Sequence, residues 1–91
     1  MFDETYLPSV RDDVQYRELE DGGVIYDTES ERIHTLNLTA AYIWNCCDGS
    51  RTVSDIASEL HRHVSVSPEQ ALNDVLHAIT YFKGERLLRF Q

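Results

Sequence analysis

No apolar run in this 91-residue chain approaches the roughly 18 residues that a membrane-spanning helix needs, which excludes a membrane span. The start, Met1-Phe-Asp-Glu-Thr-Tyr-Leu-Pro8, has neither a basic residue nor an apolar stretch. It does not read as a signal peptide, and the cytoplasm is the expected compartment. Cysteine is scarce, and the two present, Cys46 and Cys47, are adjacent. A bridge between neighbours would strain the peptide between them, so no structural disulfide is expected. On a helix the pair would point about 100° apart, one into the core and one partly exposed. There is no Cys-x-x-Cys and no His-Glu-x-x-His. His61 and His63 fall on opposite sides of a helix, while His34 and His77 lie on other elements, so neither a metal nor a cofactor is expected. No serine, cysteine or histidine stands in a nucleophile turn, and Gly22-Gly23 is followed by no Lys-Ser/Thr and opens no helix. The chain is not expected to be an enzyme.

Positive charge is also short. Eight Lys and Arg stand against sixteen Asp and Glu, a net charge of −8. Residues 1–31 hold ten acids against Arg11 and Arg17, whereas residues 32–91 hold six of each sign, so the N-terminal third carries the whole excess. Such a field repels phosphate backbones and attracts a basic peptide or protein face. Ordinary apolar and charged fractions of 42% and 26% leave one soluble globular domain with a single modest core.

Within that domain the first 13 residues lack periodicity and read as a flexible N-terminal arm, with the folded unit spanning 14–91. Val14 to Leu19, Val24-Ile-Tyr26 and Arg32 to Leu36 read as three antiparallel strands, joined by an Asp21-Gly22 hairpin signal and a turn at 27–31. Asn37 caps a first helix whose apolar face is Leu38, Ala40, Ala41, Ile43, Trp44 and Cys47, and Asp48-Gly49 stops it. Thr52 with Asp55 forms a capping box for a second helix built on Val53, Ile56, Ala57 and Leu60. Ser67-Pro68-Glu69-Gln70 opens a third, running to about Lys83 and stopping at Gly84, and Leu87 to Phe90 form a tail packed back onto the domain. The fold class expected is α+β, winged helix-turn-helix-like, a three-stranded antiparallel sheet followed by three helices.

That order invites a DNA reader, yet the N-terminal half of the third helix, where bases are read, contains no Arg or Lys. The helix is instead unusually apolar in girth. Ala71, Leu72, Val75, Leu76, Ala78, Ile79 and Phe82 span roughly 160°, wider than the ~100° that one core requires. Either the helix is wholly buried, or one flank faces a groove. If strand 32–36 is a sheet edge, its free N–H and C=O groups can accept an added strand beside that helix.

The spacing Leu36-Asn37-x-Thr39-Ala40-Ala41-x-Ile43-Trp44, then Cys47-Asp48-Gly49, then Thr52-Val53-x-x-Ile56-Ala57, then Asp74-Val75 with Leu87-Leu88, resembles the coenzyme PQQ synthesis protein D family. The resemblance covers about residues 14–90. It implies a recognition element for ribosomally made, post-translationally modified peptides. A precursor's leader peptide would bind as a fourth strand on the third strand, beside the third helix. The domain would be a peptide chaperone delivering substrate to a radical SAM enzyme, a protease or a cyclase, in PQQ, lasso-peptide or related synthesis. Carried onto this chain, the peptide-binding residues implied are Ile33, His34, Thr35 and Leu36 on the strand, and Ala71, Asp74, Val75, Ala78 and Phe82 on the helix. One departure is Arg86, which stands where the family has a glycine before the final Leu-Leu.

The leading expectation is therefore a stand-alone leader-peptide-binding domain with a cognate processing enzyme as partner, and with no nucleic acid or membrane partner. A winged-helix DNA-binding regulator is the alternative, and an adaptor docking through the acidic N-terminal third is a third option. An exposed edge strand also permits homodimers.

Overall fold

A computed structural model describes residues 5–89; Met1 to Glu4 and Phe90-Gln91 lie outside the described residues, including those ends of the expected arm and tail. Three strands, β1 (Val14–Leu19), β2 (Gly22–Asp27) and β3 (Arg32–Asn37), form an antiparallel sheet in the order β1-β2-β3. Three helices follow, α1 (Leu38–Cys46), α2 (Val53–His63) and α3 (Pro68–Gly84). The expected fold class and element order are those observed.

Side chains alternate across a sheet, so each cross-strand row belongs to one face. The row Tyr16–Ile25–His34 points inward, and Tyr16 stacks on Trp44 with ring centroids 6.2 Å apart. Trp44 in turn meets Phe82 edge-on at 5.1 Å, which joins sheet, α1 and α3 through one aromatic chain. Ile43, Ile56, Leu60, Val75, Ile79, Phe82 and Leu87 are wholly buried around it. All three helices lie on this inner side, and α1 packs against both β2 and β3.

The local signals act as their chemistry requires, with some changes of detail. Asn37 Oδ1 accepts the Ala40 amide at 2.8 Å, and both arms of the Thr52–Asp55 capping box are made. Ser67 caps α3, but the reciprocal arm of its box is absent, because Gln70 Nε2 donates to Asp74 Oδ1 at 2.8 Å instead. The β1–β2 turn is Glu20-Asp21, and the two glycines begin β2 rather than forming the turn. Gly22 is required by close approach, since a Cβ there would lie 1.9 Å from the Leu36 carbonyl oxygen. Helix α1 stops at Cys46, ahead of the left-handed Gly49 (φ 85°). Leu38, expected on its buried face, is exposed at the first position.

The C-terminal end of α3 contains the largest departure from the expected stop signal. Gly84 is still helical, and the left-handed residue is Arg86, with φ 59°. The Arg86 amide donates to the Lys83 carbonyl at 3.1 Å and the Leu87 amide to the Phe82 carbonyl at 2.8 Å. Those two bonds define a Schellman cap with Arg86 at C′, sealed by the buried pair Phe82 and Leu87. The geometry expected of a glycine persists here with a side chain on it.

The lead-in segment is held where it is described. Pro8 is buried, the Gly49 amide donates to its carbonyl at 3.0 Å, and the Val10 amide donates to the Cys47 carbonyl at 2.9 Å. On the other side, the Arg11 amide reaches the Leu87 carbonyl at 3.0 Å and the Arg89 amide the Ser9 carbonyl at 2.8 Å. Residues 8–11 thus thread between the α1–α2 connection and the C-terminal tail.

Candidate functional site

The sheet pairs β3 with β2 alone, so the far edge of β3 is open among the described residues. Asn37 is both the last residue of that strand and the cap of α1, so the chain turns from edge to helix without a loop. The first turns of α1 therefore lie at the foot of the edge. Across from it, α3 supplies the opposite wall through Asp74, His77, Ala78, Tyr81 and Phe82, whose spacing is that of one helical stripe. Together these enclose a groove of about 490 Å³.

Leu36 from β3, Ala40 and Ile43 from α1, and Ala78 and Phe82 from α3 make its apolar lining, while Thr35, Asn37, Thr39, Asp74, His77 and Tyr81 are its polar members. Asp74 is held by the bond from Gln70 that replaces the capping-box arm. The Tyr81 hydroxyl lies 2.7 Å from His34 Nδ1, so the walls β3 and α3 meet through this pair. Among the described residues, the His34 Nε2 and the Tyr16 hydroxyl are buried without a hydrogen-bond partner.

The residues implied by family resemblance separate into four groups. Thr35, Leu36, Asp74, Ala78 and Phe82 line the groove together. His34 is buried behind the wall, bonded to Tyr81 rather than open to the groove. Ile33 projects from the opposite face of the sheet and is 68% exposed. Ala71 and Val75 are wholly buried and belong to the core, because the flank of α3 that carries them is covered. The open flank is the one through Asp74, Ala78 and Tyr81. Tyr81 also lines the groove, as do His77, Asn37, Thr39, Ala40 and Ile43, five residues that the sequence pattern does not single out for it. The step of 74, 77, 78, 81 and 82 along α3 was the signal available, masked by the polar character of half its members.

Other chemistry is limited. Among the described residues no group of three or more His, Cys, Asp or Glu could hold a metal ion. Both cysteines are buried, which corrects the expectation that one of them is partly exposed. Burial, with Cys46 and Asp48 nearby, pushes the Cys47 thiol up to about 12, and its sulfur contacts the Ile43 carbonyl at 3.2 Å. It is a packed, protonated group, not a nucleophile. No helix among the described residues is long and apolar enough to cross a membrane.

The sequence pattern of the family described as coenzyme PQQ synthesis protein D (PqqD) matches residues 22–88. No curated protein matches the chain in sequence. Three solved structures share its fold. One is TbiB1 in complex with the TbiA(beta) leader peptide, with TM-score 0.79 and 16% identity over 91% of this chain and 96% of that one. Another is lasso peptide synthetase B1 complexed with the leader peptide, with TM-score 0.77 and 23% identity over 94% of this chain and 100% of that one. The third is the PqqD truncation of Methylobacterium extorquens PqqCD, described as a functional, stand-alone recognition element for ribosomally synthesized and post-translationally modified peptides. It has TM-score 0.79 and 25% identity over 99% of this chain and 96% of that one.

Proposed function

The chain belongs to the coenzyme PQQ synthesis protein D family, and from that premise we propose that it is a stand-alone leader-peptide-binding domain. It takes the leader of a ribosomally made precursor as a fourth strand on β3 and presents the precursor to a processing enzyme of radical SAM, protease or cyclase type. The recognition unit is residues 14–91, and PQQ or lasso-peptide synthesis is the setting to which the similar structures point.

The observation that carries this reading is the coincidence of an open strand edge with an apolar groove beside it. Main-chain bonds to β3 would give affinity that tolerates sequence change, and alternate side chains seated between Leu36, Ile43, Ala78 and Phe82 would give selectivity. The leader peptides bound to two proteins of this fold support the same use of it. A DNA-reading role fits less well: the only Lys or Arg on α3 is Lys83 in its last turn, and the net charge is −8.

The test is a fluorescence-anisotropy titration with a synthetic, labelled leader from the precursor gene adjacent to this one. Saturable one-to-one binding, competed by unlabelled leader, is expected. Failure to saturate with the leader of any adjacent precursor would refute the proposal.

A further inference from the structure

The groove accounts for only one face of an added strand. Side chains alternate, so a peptide paired with β3 places every second residue on the opposite, outer face of the sheet. Among the described residues no helix covers that face: α1 packs on β2 and β3, and its Trp44 meets Tyr16 of the inward row. Yet the outer face is not polar next to the open edge. Ile33 is 68% exposed there, and its cross-strand partner Tyr26 is 39% exposed. The next row inward along the strands pairs Thr35 with the half-buried Val24. A β-branched aliphatic residue left bare on the outermost strand loses the burial that would favour it at that position.

We propose that Ile33, backed by Tyr26, is a second specificity subsite, which takes an apolar side chain from the outward-facing set of the leader. This deepens the leader-binding reading and rests on it. A residue opposite Ile33 in an antiparallel or parallel pairing has its Cβ about 4.5–5.5 Å from that of Ile33, close enough to extend the row Gln15–Tyr26–Ile33 by one member. The leader is then read on both faces: one alternate set enters the groove lined by Leu36, Ile43 and Phe82, and the other lies over Ile33. Charge limits the competing occupant. A second copy of this chain would bring a net charge of −8 against an equal one. Glu29 and Glu31 in the turn that precedes β3 take part in none of the described ion pairs, so they would repel an acidic neighbour.

Ile33→Thr keeps the β-branch and the strand propensity while removing apolar surface from a site that is open in the free protein. Titrated with the same labelled leader, it should bind about tenfold more weakly, a loss insensitive to salt. Leu19→Thr, at 40% exposure on the same face but on the far strand β1, should bind like the wild type. An alanine scan of the leader should show two interleaved sets of sensitive positions, and the set of alternate residues that Ile33→Thr no longer distinguishes identifies the outward one. Wild-type affinity in Ile33→Thr, equal losses in both variants, or a single sensitive set in the scan would each overturn the subsite while leaving leader binding intact. If the wild-type protein does not bind the leader at all, the functional reading falls and the subsite falls with it.

Discussion

Arg86 shows how a residue can depart from a pattern while the backbone keeps it. The left-handed conformation costs a residue with a Cβ about 1 kcal/mol or more, which is why a glycine ordinarily occupies the C′ position. Here the two Schellman bonds and the buried contact of Leu87 with Phe82 outweigh that cost. Replacing Arg86 with glycine should therefore stabilise the protein by about 0.5–1 kcal/mol, read as a higher urea midpoint at unchanged slope. A lower midpoint would mean that the arginine side chain contributes more than its strain costs. The replacement of a glycine by Arg86 was visible in the sequence, but its consequence was not, because φ at that residue is set by the docking of the tail.

At the scale of elements, α3 serves two surfaces at once. Its apolar arc was legible as too wide for one core, and the choice between full burial and a groove was not. The structure divides the arc: Ala71, Val75 and Ile79 enter the core, Ala78 opens on the groove and Leu72 is exposed at the other margin. Helical periodicity shows which residues share a face but not which face has a neighbour, and α2 decides that by covering one flank. The division predicts a selective effect. Ala78→Trp should fill the groove and weaken leader binding at least about tenfold, in anisotropy, while thermal unfolding stays close to wild type. Leu72→Ala should leave binding unchanged. If Ala78→Trp binds normally, the peptide does not use this groove.

Across the whole molecule, Arg11 ties three distant segments together. Its guanidinium bonds both oxygens of the buried Asp27 at 3.1 and 3.3 Å, the Arg86 carbonyl at 2.8 Å and the exposed Asp13. Burial of Asp27 opposes ionisation, but Arg11 and the Glu29 amide outweigh it and hold the carboxyl below its ordinary value of 3.8. A depressed carboxylate contributes stability that is fully present above its unfolded value and is lost as pH falls through the folded one. Arg11→Ala should cost about 2–3 kcal/mol at neutral pH, because a buried carboxylate loses its partner. The gap from wild type should narrow as pH falls below the ordinary aspartate value of 3.8 and through the lower folded value of the wild type, where Asp27 takes up its proton. Urea unfolding at pH 7 and pH 3 measures both, and a gap that is constant with pH would show that Asp27 is not the group responsible. This clamp was hidden in the sequence, where residues 1–13 carry no periodic pattern and Arg11 is one charge among many acids.

Local chemistry determined much of the protein directly. Asn37, Thr52 and Ser67 mark helix starts because their side chains satisfy free amides within three residues, and the alternation of β3 depends only on its own pleat. The family, too, was legible, since it lies in the order and spacing of such local signals. Tertiary structure alone decided which residues face the open groove. That depends on which faces of β3, α1 and α3 lie beside one another and which are covered. It placed Ala71 and Val75 in the core, brought His77, Tyr81 and Ile43 to the groove, and left Ile33 bare on the other side of the sheet. Those positions arise from contacts between segments far apart in the chain, which no local periodicity encodes.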